Sequence, residues 1–482
     1  MKGALQQLTF KGSEDIYLTI DPKFSYFKKV YKRHSNFSIE SIAHNLDNPA
    51  KFGGISLVKL IKQGEFISKT YLEIDLPYNV NSQAKWTNRI GFNIIKKIEL
   101  IIGNIIVDRQ FGLWLHLWSE LSNTYDKKLI LSDLVGKKSK TGYNSNGLKA
   151  NESHKLIIPL NFFFCNYNTA LPVIAIQNQE IFFKIHFETK SKCLQNGSLS
   201  GDIINAILWI DHIFVENDEA LLLVQKNHEY LIEVVMKKTE NLNVSGVNIV
   251  NIPFKLPYKE LVWVTKNKNP IENTDKFTDF STGVTNNLIN TKVKFYQTYD
   301  YKGWEIELES GNYTNTDLLN IKSDFNSLSS IKPNGNLIEL YTGDNFTGNL
   351  LKITNDNKGL GLFNDKTRSL KIINQKLQTN LVSETQFLIN SKKIFSSKPK
   401  NYTYFNYYLP YKYHSGNPDI GINCYPFCLK PEEQIPSGSL ILRNNEKLEM
   451  SINSKKSTLF LFAKSYNIIK IKNNFFSIEY VY

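Results

Sequence analysis

Residues 183 to 188 (FKIHFE), within the run IFFKIHFE from Ile181, alternate apolar and polar side chains. A strand with one buried face demands that alternation, because successive side chains leave a pleated chain on opposite sides. KTYLEIDL, from Lys69, reads as a strand too. Such runs recur between clusters of Asn, Gly, Pro and Ser. Helix-period stretches are few, with one predicted from Gly112 to Asn123 (Leu113, Leu117, Trp118 and Leu121 on one face) and one from Asp218 to Lys226. Many short strands with turn-forming punctuation predict packed β-sheets. The 30 Phe and 25 Tyr agree, since aromatic side chains suit half-buried pleated surfaces. At 482 residues the chain exceeds one ordinary core, so two or three domains are expected.

The formal net charge of +13 is spread along the chain (Lys28, Lys29, Lys32 and Arg33; Lys137, Lys138 and Lys140; Lys455 and Lys456) with no arginine-rich block. That distribution reads as a solvated surface and predicts no specific nucleic-acid partner. The four cysteines, Cys165, Cys193, Cys424 and Cys428, do not make a disulfide framework. Cys424 and Cys428 are expected on one face of a strand, as core residues and not zinc ligands. The N-terminus lacks the apolar run of a signal peptide, and no apolar stretch is long enough to span a bilayer. Asn196, Asn312 and Asn345 open Asn-x-Ser/Thr sequons, weak signals for glycans without a secretory signal.

Two segments, 123 to 154 and 266 to 291, have the polar composition of long surface loops. The second leads into an internal repeat. KFYQTYDYKG (294–303) and ELYTGDNFTG (339–348) each place a Tyr, an aromatic five residues on and a Gly seven residues on: Tyr296, Tyr301, Gly303 and Tyr341, Phe346, Gly348. The predicted unit is a folded hairpin whose glycine adopts a conformation closed to residues with a Cβ. Residues 293 to 373 carry 9 basic and 10 acidic side chains, so the basic surplus lies outside them.

The pair resembles the two Greek-key motifs of a βγ-crystallin domain, over residues 292 to 374. In that family the turn pattern Asn/Asp-Asn/Asp-x-x-Ser/Thr-Ser can bind calcium. Its counterparts, Phe325 to Ser330 and Asn364 to Ser369, are degenerate. The resemblance pairs Ser329 with Asp365 as one calcium site, while Arg368 puts a cation where a ligand oxygen belongs. Calcium wants six to eight oxygens, so the expectation is a module that stands without the ion, and no other cofactor is expected.

Outside the insert the chain resembles the major capsid proteins of nucleocytoplasmic large DNA viruses. The residues that carry this are GSEDIYLTIDP (12–22) followed by FSYFKKVYKR (24–33), Trp86 to Gly91, IELIIG (98–103), GLWL (112–115), IPLNFFFC (158–165), ALPVIA (170–175) and HEYLI (228–232). In the second half they are KELVW (259–263), Leu409 to Tyr411, His414 and GINCYPFCLKPEEQIPSG (421–438). The run SLILRNN (439–445) departs from the polar run usual in the family.

The resemblance implies an all-β double jelly-roll: an N-terminal arm (1–24), a first eight-stranded roll (25–215) and a second (216–482). The crystallin-like insert (292–374) falls in the loop between the fourth and fifth strands (D–E) of the second roll. It further implies a homotrimer with a pseudo-hexagonal outline, packed against neighbouring capsomers, penton and minor capsid proteins. The icosahedral shell would stand over an internal membrane that the basic surplus could contact, in a virion assembled in the host cytoplasm. No catalytic residue is expected. Gly-x-Ser-x-Gly, phosphate-loop and His-Glu-x-x-His motifs are absent, the eight histidines look isolated, and Glu432 and Glu433 read as solvated charge. Two other readings are a double-barrel scaffold that shapes a viral membrane during assembly, and a surface binding module built on the insert.

Overall fold

The computed structural model describes all residues except 1–2, 11, 13–18, 24, 28–33, 137–147, 269–274, 282–291, 310, 335, 354–355, 375–379, 395–397, 444 and 481–482. The basic clusters at 28–33 and 137–140 and most of the motif at 12–33 therefore lie outside the described residues.

Eight strands build the first roll: β1 (Phe37–Asn45), β2 (Ile55–Lys59), β3 (Phe66–Asp75), β4 (Ile95–Ile102), β5 (Ile105–Gln110), β6 (Lys155–Pro159), β7 (Ile181–Phe187) and β8 (Asn205–Val215). They form two antiparallel sheets, β1-β8-β3-β6 and β2-β7-β4-β5. A second set follows: β9 (His228–Leu242), β10 (Gly246–Ile252), β11 (Tyr258–Asn267), β12 (Val382–Ile389), β13 (Lys392–Lys393), β14 (Asn423–Pro426), β15 (Leu448–Ser454) and β16 (Ser457–Lys472). Its sheets run β9-β16-β11-β14 and β10-β15-β12-β13. In both sets, strands one to eight fall in the orders 1-8-3-6 and 2-7-4-5. Two Greek keys facing each other produce that permutation, and the fold is a double jelly-roll.

Alternation explains the sheets directly. Along β7 the burial reads buried at Ile181, Phe183, Ile185 and Phe187 and half-buried between, as its sequence period requires. β11 departs from this rule and is buried on both faces from Tyr258 to Thr265. One face lines the second roll, and the other meets the first. The predicted helix at Gly112 forms as Gly112–Ser122 and brings Trp114 onto Phe462 of β16, with ring centroids 5.6 Å apart. One continuous apolar core therefore runs through both rolls. Burying each large apolar side chain there contributes about 1.5–3 kcal/mol.

The two predicted surface loops need correction. Within 123 to 154, residues Tyr125–Leu134 form a helix, and Leu148 and Ala150 are buried. Within 266 to 291, Phe277 and Phe280 are buried against His116 of the first roll, and Asp275 accepts a hydrogen bond from the Asn88 N–H at 2.7 Å. Polar composition concealed two aromatic anchors.

The repeat lies between β11 and β12, the third and fourth strands of the second set and not the fourth and fifth as expected, and folds into two small sheets with a core of their own, including Phe295, Phe325, Leu340 and Leu370. Trp304, Ile306, Leu351 and Phe363 pack at its margin. The two copies match in detail. Tyr296 and Tyr301 meet edge-on at 5.4 Å, as do Tyr341 and Phe346 at 5.9 Å. Gly303 and Gly348 adopt φ of 84° and 81°. Ser330 Oγ donates to the Thr298 carbonyl and Ser369 Oγ to the Gly343 carbonyl, each clamping its own hairpin.

Candidate functional site

In the insert, the turns carrying Ser329 and Asp365 are joined through their backbones. The Asp365 N–H donates to the Leu328 carbonyl at 3.2 Å, and the Leu360 N–H donates to the Ser329 carbonyl at 2.9 Å. Each candidate side chain also has a local partner. Ser329 Oγ donates to the Ser327 carbonyl at 3.5 Å, and Asp365 Oδ2 accepts from Asn364 Nδ2 at 2.8 Å. Arg368 Nη1 donates to the carbonyls of Asp365 (3.4 Å) and Thr367 (3.3 Å), so a guanidinium occupies the carbonyls of the second turn. Phe325, first residue of the first turn, is wholly buried in the module's core and offers no oxygen from its side chain.

The seam between the rolls holds a denser set of charged groups. His414 follows the short helix Leu409–Tyr413, and Trp118 of the first roll presents a ring edge-on to it at 5.9 Å. His414 Nε2 lies 2.7 Å from Glu260 Oε1 and Nδ1 lies 3.2 Å from Glu432 Oε1, and the His414 and Glu260 side chains are fully buried. Burial alone would lower the imidazole pKa. The Glu260 carboxylate overrides it and holds His414 well above the usual range, so the ring bridges two carboxylates as an imidazolium. Glu432 also accepts from the Ser415 N–H at 2.7 Å. Cys424 on β14 stands diagonally across from Glu260 on the same sheet face, because Val262 pairs with Cys424 and Glu260 with Pro426. Three sequence expectations are thus corrected: His414 is not isolated, Glu432 is not simply solvated, and Cys428 lies beyond the strand that carries Cys424.

Two ion clusters flank this group. Arg89 pairs with Glu120 at 2.6 Å with both side chains 5% exposed, and Lys128 joins Glu120 at 3.0 Å. Lys259 and Lys464 both reach Glu233, and Lys464 sits 4.0 Å above the Trp118 ring. Neither cluster holds a nucleophile beside a base on an open surface. They tie strands and rolls together.

At three sheet edges large apolar side chains stand exposed among polar ones. Phe37 and Ile39 of β1, Ile55 and Leu57 of β2, and Val247 and Ile249 of β10 are exposed, the last two by 65% and 70%. All three strands end their sheets. Edge strands with apolar outer faces are sites of association with another chain.

Comparison with known proteins agrees with this architecture. Residues 25–222 match the family described as major capsid protein N-terminus, and residues 219–477 match that described as large eukaryotic DNA virus major capsid protein. The chain belongs to the major capsid proteins of large eukaryotic DNA viruses. It is 26% identical to the major capsid protein of Phaeocystis pouchetii virus across the whole of both chains. The PBCV-1 virus capsid structure covers 95% of this chain and 100% of its own at a TM-score of 0.66 and 18% identity, which supports the shared fold. A small segment is also 33% identical over 84 residues to development-specific protein S of Myxococcus xanthus, covering 17% of this chain and 49% of that protein. The capsid role is therefore favoured over the scaffold and binding-module readings, and the protein is a structural component of the virion capsid.

Proposed function

We propose that three copies of this capsid protein close into a trimeric, pseudo-hexagonal capsomer. These capsomers tile an icosahedral shell over an internal membrane, with pentons and minor capsid proteins completing the lattice, in the host cytoplasm. The arm (1–24) and the two rolls (25–215 and 216–482) are its working units, and the insert (292–374) points away from the membrane side. The protein works by assembly and not by catalysis. The observation that carries the reading is the row of exposed apolar residues on terminal strands, above all Val247 and Ile249 on β10. Such faces supply burial between copies, and many modest contacts add up across a lattice.

Sedimentation of the purified chain at micromolar concentration should give a trimer. Val247→Lys combined with Ile249→Lys should give monomer with unchanged circular dichroism. A wild-type monomer at physiological salt would overturn the proposal.

For the insert we propose a module stable without calcium, because Arg368 already engages the carbonyls of the second turn and Phe325 withholds an oxygen from the first. Ser329 and Asp365 remain the pair to test. Calorimetric titration should find at most weak binding that Asp365→Ala abolishes. Two tight sites would refute this.

A further inference from the structure

The Glu260, His414 and Cys424 side chains each turn one metal-binding atom toward a common point, with those atoms all within 4.8 Å of one another. We infer that these three residues form a transition-metal site, with zinc as the ion their chemistry fits, at the seam between the two rolls.

The donor set decides the metal class. Imidazole nitrogen, thiolate sulfur and carboxylate oxygen are the three ligand types of protein zinc sites, and a thiolate disfavours calcium and magnesium. Glu260 brings more than one oxygen. Its Oε1 faces His414 Nε2 at 2.7 Å, whereas Oε2 is buried with no hydrogen-bond partner. A buried carboxylate oxygen without a partner is costly, and a bidentate carboxylate would satisfy it and complete four donor atoms from three residues. The surroundings of His414 fit as well. Metal-bound histidines usually give their second ring nitrogen to a carboxylate that fixes the ring, and Glu432 Oε1 stands 3.2 Å from Nδ1. Glu432 is itself held by the Ser415 N–H at 2.7 Å.

Three separate segments converge here: β11 brings Glu260, β14 brings Cys424, and the turn after Leu409–Tyr413 brings His414. Trp118 of the first roll closes the group edge-on. Binding is balanced in charge. A divalent ion displaces the imidazolium proton and the thiol proton, and the resulting thiolate and the Glu260 carboxylate neutralise it. Two protons leave for each ion bound. Because the site is closed, the ion enters as the chain folds and ties β11, β14 and the turn at His414 to one another beneath Trp118.

The test uses the full-length chain, purified without a polyhistidine tag from defined medium supplemented with zinc or with cobalt. Zinc-grown protein should retain one ion per chain through gel filtration, measured by elemental analysis. Cobalt-grown protein should show thiolate-to-cobalt charge-transfer absorption with visible ligand-field bands of a four-coordinate ion. Cys424→Ser should abolish the charge-transfer band and lower retained metal tenfold or more, whereas Cys165→Ser, a buried cysteine of the first roll, should leave both unchanged. Wild-type protein that comes out metal-free from both media would overturn the inference, as would a charge-transfer band that survives Cys424→Ser. Should Cys424→Ser not accumulate, the wild-type metal content and spectrum decide alone.

Discussion

The Gly416 N–H donates to the Leu121 carbonyl at 2.7 Å, a backbone bond that fastens the second roll to the end of the first roll's Gly112–Ser122 helix. Gly416 leaves no room for anything larger. A Cβ built there would stand 2.4 Å from the Glu120 carbonyl oxygen and 2.5 Å from that of Leu121.

Gly416→Ala should therefore push the two rolls apart. Backbone carbonyls cannot swing aside as a flexible side chain can, so the cost falls on the seam. Overpacking of this kind typically costs about 1–3 kcal/mol. Scanning calorimetry should show a lower Tm, and limited proteolysis faster cleavage between the rolls. An unchanged Tm would mean that the seam yields without penalty.

Asp108 on β5 gives a pH prediction of known sign. It is wholly buried, and desolvation pushes its carboxyl up to about 7 despite hydrogen bonds from the Phe163 N–H at 3.2 Å and from Gln110. A folded-state pKa above the unfolded value means that the native state holds the proton more tightly. The stabilisation is complete below about 3.8 and is lost as pH rises toward about 7, with a limiting slope of about 1.4 kcal/mol per pH unit. Asp108→Asn should remove that slope, since an amide stays neutral and Gln110 can turn its own amide to match. Urea unfolding of both proteins from pH 4 to 8 checks it; parallel curves would rule it out.

His212 works in the opposite direction. Its ring stacks on His44 at 5.4 Å and 10° between β8 and β1, and its Nδ1 accepts from the Gly64 N–H at 3.4 Å. Burial, reinforced by His44, lowers its pKa to about 4, so the folded state needs the neutral ring. That contribution is complete above about 6.5 and is lost as pH falls toward 4. His212→Gln, which keeps an acceptor without the titration, should flatten the acid limb of the stability profile. If the variant loses stability between pH 6.5 and 4 as steeply as wild type, His212 is not the group responsible.

The sheets were legible in the sequence because a half-buried strand must alternate, and β3 and β7 do. The helices at Gly112 and Asn217 and the paired hairpins of the insert were legible for the same reason: period and spacing are local. The seam was not. Lys259 and Glu260 are charged residues within a strand, yet both are fully buried, Lys259 against Glu233 and Glu260 against His414. His414, Glu432 and Cys424 meet Glu260 across separations of roughly 150 residues or more, and no local pattern encodes such a meeting. Phe277 and Phe280 were hidden by their polar neighbours. The one signal that could have marked the region was the crowding of His414, Cys424 and Glu432 into a short span of otherwise structural motif.

The insert should be removable. Among the described residues its core shares no buried residue with the core of the rolls. Its stem is closed on the capsid side, because Ser281 and Asn380 pair in an isolated antiparallel bridge just before and just after it. Asn380 also holds the chain into β12, accepting from the Val382 N–H at 3.0 Å and donating to Asn423 of β14 at 3.4 Å. Residues that remain on either side of the excised segment are thus already paired with each other. Insertions and deletions are tolerated where ends lie close and few core contacts are cut. Closing the gap with a short linker adds little loop entropy, since each doubling of loop length costs only about 0.6 kcal/mol. Replacing residues 292–374 with a short Gly/Ser linker should leave a folded protein with the wild-type oligomeric state and a Tm for the rolls within a few degrees of the parent. The excised module, made alone, should give its own cooperative melt. Aggregation of the deleted chain, with Ser281 and Asn380 retained, would show that the insert completes the second roll instead of riding on it.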